Sequence, residues 1–113
     1  MALTISYNGH GAGLNPTHSV GTISRIMTGT IDFDDSYPTG GEDFNPAEYF
    51  PRGLLGVIFE PKGGYVFEYD YTNARVKAMC GNYDQAADGA LTEVANGTNL
   101  SAVTGVRFIA WGY

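Results

Sequence analysis

Tyr65, Phe67, Tyr69 and Tyr71 place an aromatic ring at every second position, with Val66, Glu68 and Asp70 between them. A repeat of two is the period of a β-strand, which puts all four rings on one face; a helix would scatter them around its axis. Turn residues close the run on both sides, Pro61-Lys62-Gly63-Gly64 before it and Thr72-Asn73-Ala74 after it. The run before the first turn, Leu54–Phe59, is almost continuously apolar, a pattern consistent with burial on both faces. The run after the second, Arg75–Cys80, alternates again, with Val76, Ala78 and Cys80 opposite Arg75 and Lys77. Loops this short predict three strands in an antiparallel meander.

Other strands flank the meander. Ile23–Phe33 sets Arg25, Met27, Gly29, Ile31 and Phe33 on one face and Ile26, Thr28, Thr30 and Asp32 on the other. Ile31 and Phe33 suit a core, while the threonines and Asp32 suit solvent. An acidic, glycine-rich loop follows at 34–42, where Pro38 fixes its own φ and Gly40-Gly41 opens backbone angles closed to other residues. Asn45-Pro46-Ala47-Glu48 reads as a one-turn helix start with a capping box, limited by Pro51. The last strand, Ala102–Trp111, sets Val106, Phe108 and Ala110 against Val103, Arg107, Ile109 and Trp111; apolar on both faces, it should be central. Residues 1–22 are poor in apolar side chains and read as an extended N-terminal arm, and 81–99 as a long polar segment. The expected fold is all-β: a small antiparallel β-sandwich or flattened barrel of six to eight strands, with residues 23–113 as a single domain and an irregular N-terminal arm.

Composition agrees. At 113 residues the chain is one domain that buries roughly two-thirds of its unfolded surface. Only 16% of residues are charged and 16 are glycine, which favours strands joined by tight turns over helical bundles. A net charge of −6 disfavours nucleic acid and anionic membranes, whose binding rests on Lys and Arg. Cys80 is the single cysteine, so the fold stands on packing and can form in a reducing cytosol. The first residues read as no signal peptide, and no apolar run is long enough for a membrane-spanning helix. Asn96-Gly97-Thr98 and Asn99-Leu100-Ser101 fit the glycosylation pattern but read as loop residues.

Candidate chemistry is sparse. His10 and His18 lie in the arm without the partners that metal ligation requires, and they read as solvated. Asp32, Asp34, Asp35, Glu42 and Asp43 cluster around the loop. They fit either a shared cation or a solvated, self-repelling strand end. Gly9-His10-Gly11-Ala12-Gly13 lacks the strand before it and the helix after it that a dinucleotide fingerprint needs. Cys80 has no base nearby in sequence and reads as structural. The stripe of four rings suits core packing, with a subunit interface or a stacking platform as the other openings. No metal, cofactor or catalytic residue is expected, and the chain reads as no enzyme.

Four segments together resemble small structural proteins of tailed-phage virions, the head decoration (cement) proteins: Thr28–Phe33, Ser36–Glu42, Gly64–Tyr71 and Thr98–Gly112. The resemblance spans about residues 24–113, and the loop Tyr37–Glu42 is its distinctive part. It implies a non-enzymatic β-fold that binds and stabilises the assembled head on the outer capsid surface. The partner would be the major capsid protein, with the chain a homo-oligomer, a trimer favoured, assembled in the bacterial host cytoplasm. Candidate capsid or subunit contacts are then Tyr37, Pro38, Thr39, Gly40, Gly41 and Glu42, with His10, Asn15 and His18 of the arm. Tyr65, Tyr69, Tyr71 and Trp111 are the candidate interface aromatics. The alternative is a carbohydrate-binding or tail/adhesion β-module that uses the same rings.

Overall fold

A computed structural model describes residues 3–7, 17–20, 24–81 and 90–113. These form nine strands and one short 3-10 helix: β1 (Thr4–Tyr7), β2 (His18–Val20), β3 (Ser24–Asp32), β4 (Glu42–Asp43), the helix Pro46–Tyr49, β5 (Leu54–Phe59), β6 (Val66–Asp70), β7 (Arg75–Cys80), β8 (Thr92–Glu93) and β9 (Val106–Gly112). One sheet has the order β1-β3-β9-β5, and β2 also pairs with β3. The other has the order β4-β7-β6, and β8 also pairs with β7. All pairings are antiparallel. The expected all-β class is what the chain adopts.

Alternation decides which side chains meet between the sheets. From the first sheet come Met27 and Ile31 of β3 and Val106, Phe108 and Ala110 of β9. From the second come Phe67, Tyr69, Val76 and Ala78, and all of them belong to one apolar cluster. Phe33 stacks on Phe67 with ring centres 5.2 Å apart, and Phe44 meets Phe108 edge-on at 5.0 Å. Each such side chain contributes about 1.5–3 kcal/mol by leaving water. As expected, β9 is central, between β3 and β5.

Four expectations are corrected. The meander is split: β6 and β7 form the predicted hairpin, but β5 leaves it to pair with β9 in the other sheet. Only a single bridge, Lys62 to Tyr65, spans the turn between β5 and β6. Loop length cannot distinguish a hairpin from a corner between sheets; the partner that completes a ladder decides. Second, Leu54–Phe59 is not buried on both faces. β5 ends the first sheet, and Leu55 and Ile58 are 60% and 58% exposed. Pairing passes from Leu54–Gly112 to Gly56–Trp111, so Leu55 is the extra residue of a bulge.

Third, the arm expected over residues 1–22 contributes two strands in its described parts. β1 pairs with residues 29–32 of β3, and β2 pairs with residues 24–26 of the same edge. Leu3 is buried, and Ile5 and Tyr7 pack on the core. Sparse apolar content hid this, because two short strands need only a few inward residues when β3 supplies the hydrogen bonds. Fourth, Pro46 does open a helical turn, but Asn45 makes no side-chain cap and the turn is 3-10.

Candidate functional site

The loop between β3 and β4 is the most heavily anchored irregular segment among the described residues. Tyr37 is fully buried. Its hydroxyl donates to Glu93 Oε2 at 2.7 Å and accepts the Ala78 N–H at 3.2 Å. Burial, and then the Glu93 hydrogen bond, push this phenol far above the usual tyrosine range. Glu93 Oε2 also accepts the Gly40 N–H at 2.8 Å, and Asn96 Oδ1 accepts the Thr39 N–H at 3.0 Å. Backbone bonds join Tyr37 to Gly97 and Thr98, and Asp34 to Leu100. A turn closes from Pro38 to Gly41. Gly41 has φ +105°, and a Cβ there would stand 2.5 Å from the Val76 carbonyl oxygen, so no other residue fits.

Glu42 closes this loop from inside. Its side chain is 3% exposed although it carries a carboxyl group. Glu42 Oε2 and Asp34 Oδ2 are both buried and have no donor among their neighbours. A proton on Glu42 supplies that donor. Burial first, and the charge of Asp34 second, push the Glu42 carboxyl up to about 7, with a hydrogen bond to Asp34 acting in the same direction.

The loop's candidate contacts therefore divide. Tyr37, Gly41 and Glu42 face inward and cannot touch a partner; Pro38 and Gly40 are half-buried and Thr39 is exposed. Around Thr39 stand the exposed Asp35, Ser36, Asn96, Gly97 and Asn99. This makes a polar loop end on a rigid base. Asn96 and Asn99 serve as turn formers, Asn99 Oδ1 accepting the Ser101 N–H at 2.9 Å. His10 and Asn15 lie outside the described residues, and His18 stands opposite Ile26 in β2. No group of three or more His, Cys, Asp or Glu is placed to hold a metal ion among the described residues.

The two outer sheet faces differ sharply. On the second sheet, Glu68 stands opposite Lys77 and Asp70 opposite Arg75. Arg75 also reaches Asp43 at 3.4 Å. That face is cross-strand paired and solvated. The first sheet instead presents Ile58, Ile109 and Trp111, with Thr28 and Thr30 beside them and the exposed Arg107 at one end. The Trp111 indole lies against the Gly56 backbone, where any Cβ would collide with its ring. Sequence reasoning singled out Trp111 but missed Leu55 and Ile58, because an unbroken apolar run gives no sign of a bulge.

No protein-family model, curated protein or solved structure matches the chain.

The aromatic stripe resolves ring by ring. Phe67 and Tyr69 are core, and Tyr65 is partly buried against it. Tyr69 donates its hydroxyl to the Phe44 carbonyl at 2.9 Å, and burial, then the neighbouring Tyr71, push its phenol up to about 12. Tyr71 is 57% exposed, yet its hydroxyl accepts the Val57 N–H at 3.0 Å. It therefore covers part of the outer edge of β5. Cys80 is partly buried, with its sulfur 3.8 Å from Thr92 Oγ1.

Proposed function

We propose that this chain is a non-enzymatic structural protein of a tailed-phage virion, a head decoration protein that docks on the assembled shell through its polar loop end. The observation that carries the reading is the rigidity of that end. Tyr37, Glu93 and Gly41 hold the backbone in one conformation while Asp35, Ser36, Thr39 and Asn96 stay exposed. A pre-ordered loop loses little entropy on docking. Weak contacts of this kind gain strength when repeated over a shell. The charge of −6 suits an outer surface, away from packaged DNA. The partner is the major capsid protein.

Co-sedimentation of purified protein with phage heads lacking it tests the reading. Saturable binding is expected, at least tenfold weaker for Ser36→Arg/Thr39→Arg, whose melting temperature should not change. Heads that pellet without the wild-type chain would sink the proposal. A carbohydrate-binding module is the second reading, favoured by the accessible Trp111 ring. Its face offers sugar hydroxyls few hydrogen bonds, from Thr28, Thr30 and Arg107 beside the apolar Ile58 and Ile109, which makes it the weaker one.

A further inference from the structure

The loop between β3 and β4 has a carboxyl group at each end, and the two meet. At the start, the Asp34 carbonyl accepts the Leu100 N–H and its Oδ1 accepts the Ser36 N–H, both at 2.9 Å. That leaves Asp34 Oδ2, which is buried without a donor. At the other end Glu42 stands opposite Val76 in the β4–β7 ladder and is 3% exposed. Its Oε2 is likewise buried without a donor, and a hydrogen bond joins the two carboxyls. Two ionised carboxylates are acceptors only, so that bond needs a proton between them. Without it the fold holds two like charges out of water.

Other charged groups face the pair. Asp43, next on β4, adds negative charge and is reached by Arg75 of β7 at 3.4 Å. Glu93 of β8 is occupied by the Tyr37 hydroxyl and the Gly40 N–H. The positive amino terminus favours ionisation of Glu42, but burial and then Asp34 outweigh it and push the carboxyl up to about 7.

We infer that Asp34 and Glu42 form a pH-sensitive clasp, in which a shared proton ties the two ends of the loop together and its loss frees them. Once open, Glu42 ionises near 4.5 like any solvated glutamate. The closed clasp therefore binds the extra proton between about pH 4.5 and 7. It is tightest in acid, weakens across that range as pH rises, and levels off above it. Weakening for the polar loop end to dock in base rests on the decoration reading; the clasp itself does not.

NMR of the full chain tests it. The Glu42 side-chain carboxyl should titrate near pH 7. Hydrogen exchange, corrected for intrinsic base catalysis, should show protection at Ser36, Gly40 and Leu100 falling by roughly tenfold or more from pH 5 to pH 8. These amides should stay less protected than Phe108 and Ala110 of β9, so that the loop opens without global unfolding. Glu42→Gln, whose amide donates to Asp34 at every pH, should abolish the fall. Asp34→Asn, which removes the facing charge, should move the Glu42 midpoint below 6. A Glu42 midpoint below 5 overturns the inference. So do loop amides whose protection ignores pH, or that open only together with β9. Heads should bind wild type more weakly at pH 8 than at pH 5.5 and Glu42→Gln equally at both. If heads bind at neither pH while the loop amides respond as described, the decoration reading falls and the clasp is supported.

Discussion

Glu42 is where a single residue sets a property of the protein. In an unfolded chain its carboxyl ionises near 4.5, whereas in the fold it holds its proton up to about pH 7. Between these values the folded state binds more protons than the unfolded one. Stability therefore falls as pH rises from about 4.5 to about 7, then levels off. Glu42→Gln keeps the shape and gives Asp34 a permanent donor. The variant should be more stable than wild type at pH 8, by roughly 2 kcal/mol, and should lose the slope between pH 5 and 7 in urea titrations. Equal slopes in both proteins would show that Glu42 does not hold the proton. The acidic cluster was legible in the sequence, but not the burial of one member. Spacing shows which carboxylates are neighbours along the chain; only the pairing of β4 with β7 shows that Glu42 turns inward.

At the scale of elements, β5 is the informative strand. It closes one side of its sheet, and an open strand edge invites pairing with another chain. Tyr71 answers part of this by taking the Val57 N–H. Tyr71→Phe keeps the ring and removes the acceptor. The expected cost is about 1 kcal/mol, with faster hydrogen exchange at the Val57 amide and more aggregation on storage. Unchanged exchange at Val57 would show that the edge is shielded by something else. Faces were readable wherever polar and apolar residues alternate: Ile31 on β3 and Phe67 and Tyr69 on β6 point where alternation sends them, while on β9, apolar on both faces, alternation only groups Val106, Phe108 and Ala110 together. Alternation fails on Leu54–Phe59, since every residue there is apolar or glycine and nothing marks which side faces water.

The whole molecule joins the ends of its chain to its centre. β3 is flanked by β1 and β2 on one side and by β9, which ends at Gly112, on the other. Backbone bonds from Arg52 and Gly53 to the Tyr113 carbonyl tie down the last residue. Removing residues 1–7 takes Leu3, Ile5 and Tyr7 from the core, including the Tyr7 ring against Phe108. At about 1.5–3 kcal/mol for each apolar side chain, the truncated chain should lose most of a stability that is about 5–15 kcal/mol in domains of this kind. Thermal melts followed by circular dichroism measure this. A truncated chain that melts like wild type would restore the N-terminal segment to the status of an arm.

Composition, turn chemistry and alternation determined that this chain is all-β, which side chains share a face on β3, β6 and β9, and that a loop follows β3. Those properties are local, because strand period and backbone freedom depend on residues close in sequence. Tertiary structure alone decided that β5 pairs with β9, that the N-terminal residues complete a sheet, and that Tyr37 and Glu42 turn inward. The same level of structure left Ile58 and Trp111 open on one face. Each of these depends on which distant segment supplies the missing hydrogen bonds or covers the apolar surface, and that choice is made by the assembled sheets.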